Sequence, residues 1–217
     1  MVMPGQGKEL MQQQKTETQS LPGVVMRALQ RARISILTVA LTYFLSVGVG
    51  MLMVQSGNEW AIAYRDRIVS GAQSSPITTA LKQNERLRAA LLDFGANLYG
   101  AIATTLGGLG VVVAYPIIAY RGWIGGIVSI DGSHISRLAE TREAIYYLLT
   151  LALQLIPYTL SGGAGVNMGL ALYRPRSFYQ GEKWLGIPKE AIRDTLRIYL
   201  IVVPLFLLAS LWEFLAR

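Results

Sequence analysis

From residue 129 to residue 143 the chain reads SIDGSHISRLAETRE, which gathers Asp131, His134, Glu140 and Glu143 into one short segment. Carboxylates beside an imidazole can move protons near neutral pH or hold a metal ion. Two facts weigh against both chemistries. His134 is the sole histidine and the chain has no cysteine, which excludes multi-His and thiolate metal sites, disulfides and thiolate catalysis. Charged residues in a short segment between apolar runs are ordinarily solvated, and that is the expectation for these four.

A second stretch, LQLIPYTLSGGAGVNMGLAL at residues 153–172, carries four glycines, one proline and no charge. A phosphate loop would end Gly-Lys-Ser/Thr between a strand and a helix. Here Gly165 is followed by Val166-Asn167-Met168-Gly169, and the next lysine is Lys183. A dinucleotide fingerprint needs a soluble βαβ unit, which this sequence lacks. Neither a cofactor nor a metal is therefore expected.

Packing is the remaining use for these glycines. Ser161, Gly165 and Gly169 fall four apart and share one helix face, as do Gly100, Thr104 and Gly108. Apolar lipid gives helices no hydrophobic reason to associate, so close backbone approach has to supply the attraction. The two ladders are expected to meet, within one subunit or across a dimer. A sharper alternative has Pro157 and Gly162-Gly163 breaking the helix and opening a polar cavity lined by Asn97, Gln154, Ser161 and Asn167. Asp93 and Glu213 also sit in or beside apolar blocks, close enough to the ends of those blocks to be wet.

The elements that would position these residues follow from the medium. The 217 residues are 52% hydrophobic and 15% charged, below the usual charged share of a soluble domain. Ile34 to Val54 runs 21 residues without a charge, about 30 Å of helix, the thickness of a bilayer core. The expected fold is all-α, a polytopic transmembrane helical bundle of four to five spans plus an interfacial amphipathic helix. Residues 1–33 read as a polar basic cytoplasmic tail, 34–54 as the first transmembrane helix, and 55–76 as a polar connection. Residues 77–217 read as the amphipathic helix and a glycine-rich bundle.

Ser75-Pro76 opens that amphipathic helix, expected over residues 77–94. From Ala89 to Ile130 the only charges in 42 residues are Asp93 and Arg121, enough chain for one crossing or a hairpin. A turn is expected at Gly107–Gly110 and a re-entrant bend at Gly122, Gly125 and Gly126. Further apolar blocks run from Ala144 to Leu172 and from Leu196 to Leu215. The excess of basic residues before Ile34 and between Tyr173 and Thr195 places both segments in the cytoplasm, which favours five crossings. The net charge of +7 is spent on such flanks, where anionic lipid explains it, so nucleic acid is not an expected partner.

The order of features from about Arg86 onward resembles the stage II sporulation protein M family. An amphipathic helix leads to Asn97-Leu98-Tyr99-Gly100. Tyr120-Arg121-Gly122-Trp123-Ile124-Gly125-Gly126 follows, then Gly162-Gly163-Ala164-Gly165-Val166-Asn167-Met168-Gly169 and a terminal apolar span. The family's Gly-rich run is usually preceded by Pro-His-Gly-x-x-Glu. Thr150 and Gln154 stand here at about the histidine and glutamate positions, so the signature site is altered. The resemblance implies a helper role, similar to a scaffold that holds peptidoglycan-degrading enzymes at a membrane. Relatives in organisms that never sporulate mean that the process does not carry over. The expectation is a non-enzymatic inner-membrane scaffold or accessory subunit, with lipid and other integral membrane proteins or its own copies as partners. The alternative is a transporter or permease subunit with its cavity at Pro157.

Overall fold

In the computed structural model, which describes residues 20–130, 141–174 and 177–215, the Ser20 hydroxyl accepts a hydrogen bond from the Gly23 amide at 3.3 Å. With Pro22 in the first turn, this starts helix α1 (Leu21–Gln55) thirteen residues ahead of Ile34, and the helix passes unbroken through the first apolar run. The segment expected as a polar connection is mostly a second helix, α2 (Glu59–Gln73), capped by Asn58 Oδ1 on the Ala61 amide at 3.0 Å. Ser75 and Pro76 open α3 (Pro76–Lys82), where the Ser75 hydroxyl accepts from the Thr78 amide at 3.1 Å.

The amphipathic helix expected over residues 77–94 is two helices, because Asn84 (φ 61°) turns left-handed and ends α3. The Glu85 amide reaches the Ala80 carbonyl at 2.8 Å and the Asn84 amide the Leu81 carbonyl at 2.9 Å, the paired bonds of a Schellman cap. Helix α4 (Arg86–Gly107) then starts in a new direction and ends in a 3-10 turn at Gly108–Gly110. Helices α5 (Ala114–Val128), α6 (Thr141–Tyr173) and α7 (Lys189–Leu215) complete the described chain. Between α6 and α7 lies a small hairpin of β1 (Lys183–Trp184) and β2 (Ile187–Pro188). Its two turn residues, Leu185 (φ 50°) and Gly186 (φ 81°), are both left-handed, as a type I′ turn requires.

Two expectations fail for the same reason. Gly122, Gly125 and Gly126 do not form a re-entrant bend, since all three lie within helix α5. A Cβ on Gly122 would lie 2.6 Å from the Tyr43 carbonyl oxygen, and one on Gly50 would lie 2.5 Å from that of Trp123. These glycines let α1 and α5 touch backbone to backbone, and a straight helix does that better than a bent one. Nor does Pro157 with Gly162-Gly163 break α6, which is continuous from Thr141 to Tyr173. A Cβ on Gly163 would meet the Ile36 Cα at 2.6 Å, so this glycine makes room for α1.

Helix α1 turns mostly small side chains inward and large ones outward. The buried face of α1 carries Ala28, Ala32, Ser35, Val39, Tyr43, Val47, Gly50 and Val54, mostly small residues. Leu37, Leu41, Phe44, Leu45 and Leu52 on the same helix point outward, each more than half exposed. Helix α7 repeats the pattern only in part: Ala191, Ala209 and Ser210 are buried, but so are Ile198, Val202 and Phe206, while Leu196, Leu200 and Leu208 point outward. Among the described residues α1 and α7 are long and apolar enough to cross a membrane.

Candidate functional site

The middle of the bundle holds a polar chain rather than a polar cavity at a helix break. Arg121 on α5 donates through Nη1 to the Tyr158 hydroxyl of α6 at 2.8 Å. Its guanidinium lies over the same ring, 4.8 Å from the centroid. The space comes from Gly100, where a Cβ would lie 2.8 Å from the guanidinium carbon. The Tyr158 hydroxyl donates to Asn97 Oδ1 at 2.7 Å, and Asn97 Nδ2 donates to Asp93 Oδ2 at 2.9 Å. Ser210 of α7 completes the chain with a 2.7 Å bond to the same carboxylate oxygen.

This chain borders a groove of about 560 Å³ between α1, α2, α4, α5 and α6. Asn97, Arg121, Gln154 and Tyr158 form its polar end, and Ile68, Ile117 and Ile124 its apolar wall. Gln154 is turned toward α7, donating to Glu213 Oε2 at 2.6 Å. Tyr120 separates this groove from a nearly apolar one of about 410 Å³ under Trp60 and Trp123. The hydroxyls of Tyr120 and Tyr64 are 2.6 Å apart, which ties α2 across α5. Trp60 stacks on Trp123 with ring centroids 5.0 Å apart.

The candidate cavity residues therefore divide. Asn97 and Gln154 share the groove, whereas Asn167 lies in a second assembly, donating to the Tyr179 hydroxyl at 2.7 Å. Tyr179 in turn donates to Asp194 Oδ2 at 3.0 Å. Burial, then the negative charge of Asp194, pushes the Tyr179 phenol far above its usual pKa, so it stays protonated as a donor. Asp194 is 1% exposed and takes Nε and Nη2 of Arg31 at 2.6 and 2.5 Å, and Arg197 Nη1 at 2.9 Å. Glu190 joins both arginines. This cluster ties the ends of α1, α6 and α7 to the connection between the last two.

Residues on the two small-residue ladders also lie side by side. A Cβ on Gly108 would sit 2.6 Å from the Gly165 Cα, and one on Gly169 would strike the Gly108 carbonyl. Thr104 is buried and bonds back to the Gly100 carbonyl at 2.8 Å, while neighbouring Thr105 donates to the Ser161 carbonyl at 2.9 Å. Asp131, His134 and Glu140 fall outside the described residues, as does the side chain of Glu143. At the altered signature positions, Thr150 bonds the Tyr146 carbonyl at 2.9 Å, and Gln154 reaches the groove.

Sequence reasoning passed over Arg121, Tyr158, Tyr179 and Asp194 as site residues. Arg121 carried a usable signal, being the lone cation in a 42-residue block. Asp194 carried none, since its partner Arg31 is 163 positions away. No curated protein and no solved structure matches the chain. A family model described as Stage II sporulation protein M matches residues 39–215, and the chain belongs to that family.

Proposed function

We propose that the chain is a non-enzymatic, multi-pass subunit of the inner (plasma) membrane that serves other membrane proteins as a scaffold or accessory. Helices α1, α4, α5, α6 and α7 make five crossings, with the N-terminus and the connection carrying the hairpin in the cytoplasm. Helix α5 is short, about 22 Å. With Val111–Val113 before it and Ser129-Ile130 after, the segment reaches 20 residues, with Arg121 its one charge. That is enough for one span.

The observation that best supports a scaffold is the close backbone packing of helices at glycines. Backbone contacts at Gly50, Gly122, Gly163 and Gly165 join helices of the same chain, which favours a stiff platform. The large outward side chains of α1 and α7 remain for lipid or for partner helices. Two apolar helices and family membership support the membrane setting. The test is purification of the tagged protein from its host in mild detergent, followed by mass spectrometry. A stoichiometric membrane or cell-wall partner is the expected result. A homo-oligomer without companions would sink the scaffold reading.

The groove at Arg121 favours a second reading, a transporter or permease subunit. Its site would be centred on Arg121 and Tyr158 rather than on a break at Pro157, because α6 is continuous.

A further inference from the structure

Arg121 is placed where a cation is costly. Its neighbour Gly122 packs on the Tyr43 carbonyl, and Tyr43 is the tenth of the 21 residues in the first apolar run. On the five-crossing reading, on which this inference rests, the guanidinium lies inside the spanning bundle, in a groove that runs from Tyr158 to Ile68 of α2 and so toward the membrane face on which α2 lies. An arginine there stays charged and needs an anion or several acceptors. Among the described residues no carboxylate lies within 4.0 Å of it, and Tyr158 is its one hydrogen-bond acceptor. The two carboxylates on this side of the bundle are engaged elsewhere, Asp93 by Asn97 and Ser210, and Glu213 by Gln154. Most of the five guanidinium donors are left without an acceptor.

The surroundings suit one class of ligand. The groove offers further donors and acceptors in Asn97 and Gln154 beside an isoleucine wall, and the apolar groove under Trp60 begins on the far side of Tyr120. A planar guanidinium binds phosphate oxygens through paired N–H bonds. Acyl chains would suit the apolar walls. We propose that this groove binds the phosphate headgroup of an anionic membrane lipid, with Arg121 as its counter-ion and Tyr120 and Tyr64 at the rim.

The full chain, purified in mild detergent, is tested by thermal unfolding with added phosphatidylglycerol, phosphatidylcholine or inorganic phosphate. Phosphatidylglycerol should raise the Tm in a concentration-dependent way and the other two should not. Stabilisation by inorganic phosphate alone would assign the site to a free anion and overturn the lipid proposal. Arg121→Gln should weaken the apparent affinity for phosphatidylglycerol by about tenfold or more. If Arg121 were only structural, the variant would have a lower baseline Tm and an unchanged lipid-dependent rise, which overturns the proposal. Ile68→Trp, which narrows the groove without replacing Arg121, should also lose the lipid-dependent rise, measured from the variant's own baseline Tm. Membrane embedding is scored separately, by retention in alkali-washed membranes. Extraction there would overturn the membrane reading. Retention with no Arg121-dependent lipid effect would overturn this inference alone.

Discussion

Gly108, which opens the 3-10 turn at the end of α4, and Gly165 of α6 meet backbone to backbone, so that a Cβ on the first would sit 2.6 Å from the Cα of the second. A Cβ on Gly165 would in turn lie 2.7 Å from the Thr105 Cα. Neither neighbour is the free end of a side chain, so neither can swing away. Dispersion between closely approaching backbones and the Thr105 bond to the Ser161 carbonyl hold this crossing together.

Gly165→Ala should therefore separate α4 from α6 and cost about 3 kcal/mol or more, the upper end of overpacking penalties. Gly95→Ala, on helix α4 that leads into Gly108, is the control because nothing lies within 4 Å of its Cβ position. It should be neutral or raise stability by up to about 1 kcal/mol through helix propensity. Thermal melts of the detergent-solubilised variants check the pair. Equal effects from both substitutions would remove the special status of this contact.

Much of the fold was legible in the sequence and much of the site was not, for reasons that differ by residue. The 34–54 run is visible because bilayer thickness imposes a length. The Ser161 and Gly165 face is visible because helical periodicity is local. The direction taken by α4 is hidden in Asn84, since asparagine is only modestly biased toward left-handed backbone and nothing else marks the cap. Gly122 and Gly126 read equally well as a bend or as a packing notch, and only the neighbour, α1, decides between them. The pairing of Arg31 with Asp194 depends on tertiary contact between chain ends, and each charge alone resembles a headgroup-facing residue.

Asp194→Asn should be among the most destabilising single substitutions in the chain. Asp194 is almost fully buried and balances Arg31 and Arg197, so neutralising it leaves the part-exposed Glu190 alone to balance both guanidinium groups. Breaking a buried pair from one side costs about 3–5 kcal/mol. Removing Arg31 as well should restore part of the loss, and a double-mutant cycle measures that coupling. Strict additivity of the two substitutions would show that the pair contributes little.

Five crossings place α2 and the hairpin connection on opposite sides of the membrane. The chain is free of cysteine, so single cysteines report without background. Gly71→Cys at an open position of α2 should react with a membrane-impermeant maleimide in intact cells. Gln180→Cys, exposed just ahead of the hairpin, should react only after permeabilisation. Labelling of both from the same side would require an even number of crossings between them instead of three, and the five-crossing arrangement would fall.

Tyr179 gives the bundle a defined weakness at alkaline pH. Its phenol is buried, bonded to Asp194 and held above the ordinary pKa of about 10 that it has in the unfolded chain. The sign follows from proton counting. Below about pH 10 both states keep the proton and the tyrosine's contribution is fully present. Above that value the unfolded chain releases its proton while the folded protein retains it, so stability falls as pH rises toward the folded pKa. Tyr179→Phe removes the titrating group along with the bonds to Asn167 and Asp194. It should lower stability at neutral pH by about 1–3 kcal/mol. Between pH 10 and 11 its Tm should then decline less steeply than that of the parent protein. Parallel declines over that range would mean that Tyr179 ionises as readily in the folded protein as in the unfolded chain, and that the hydrogen bond to Asp194 does not form.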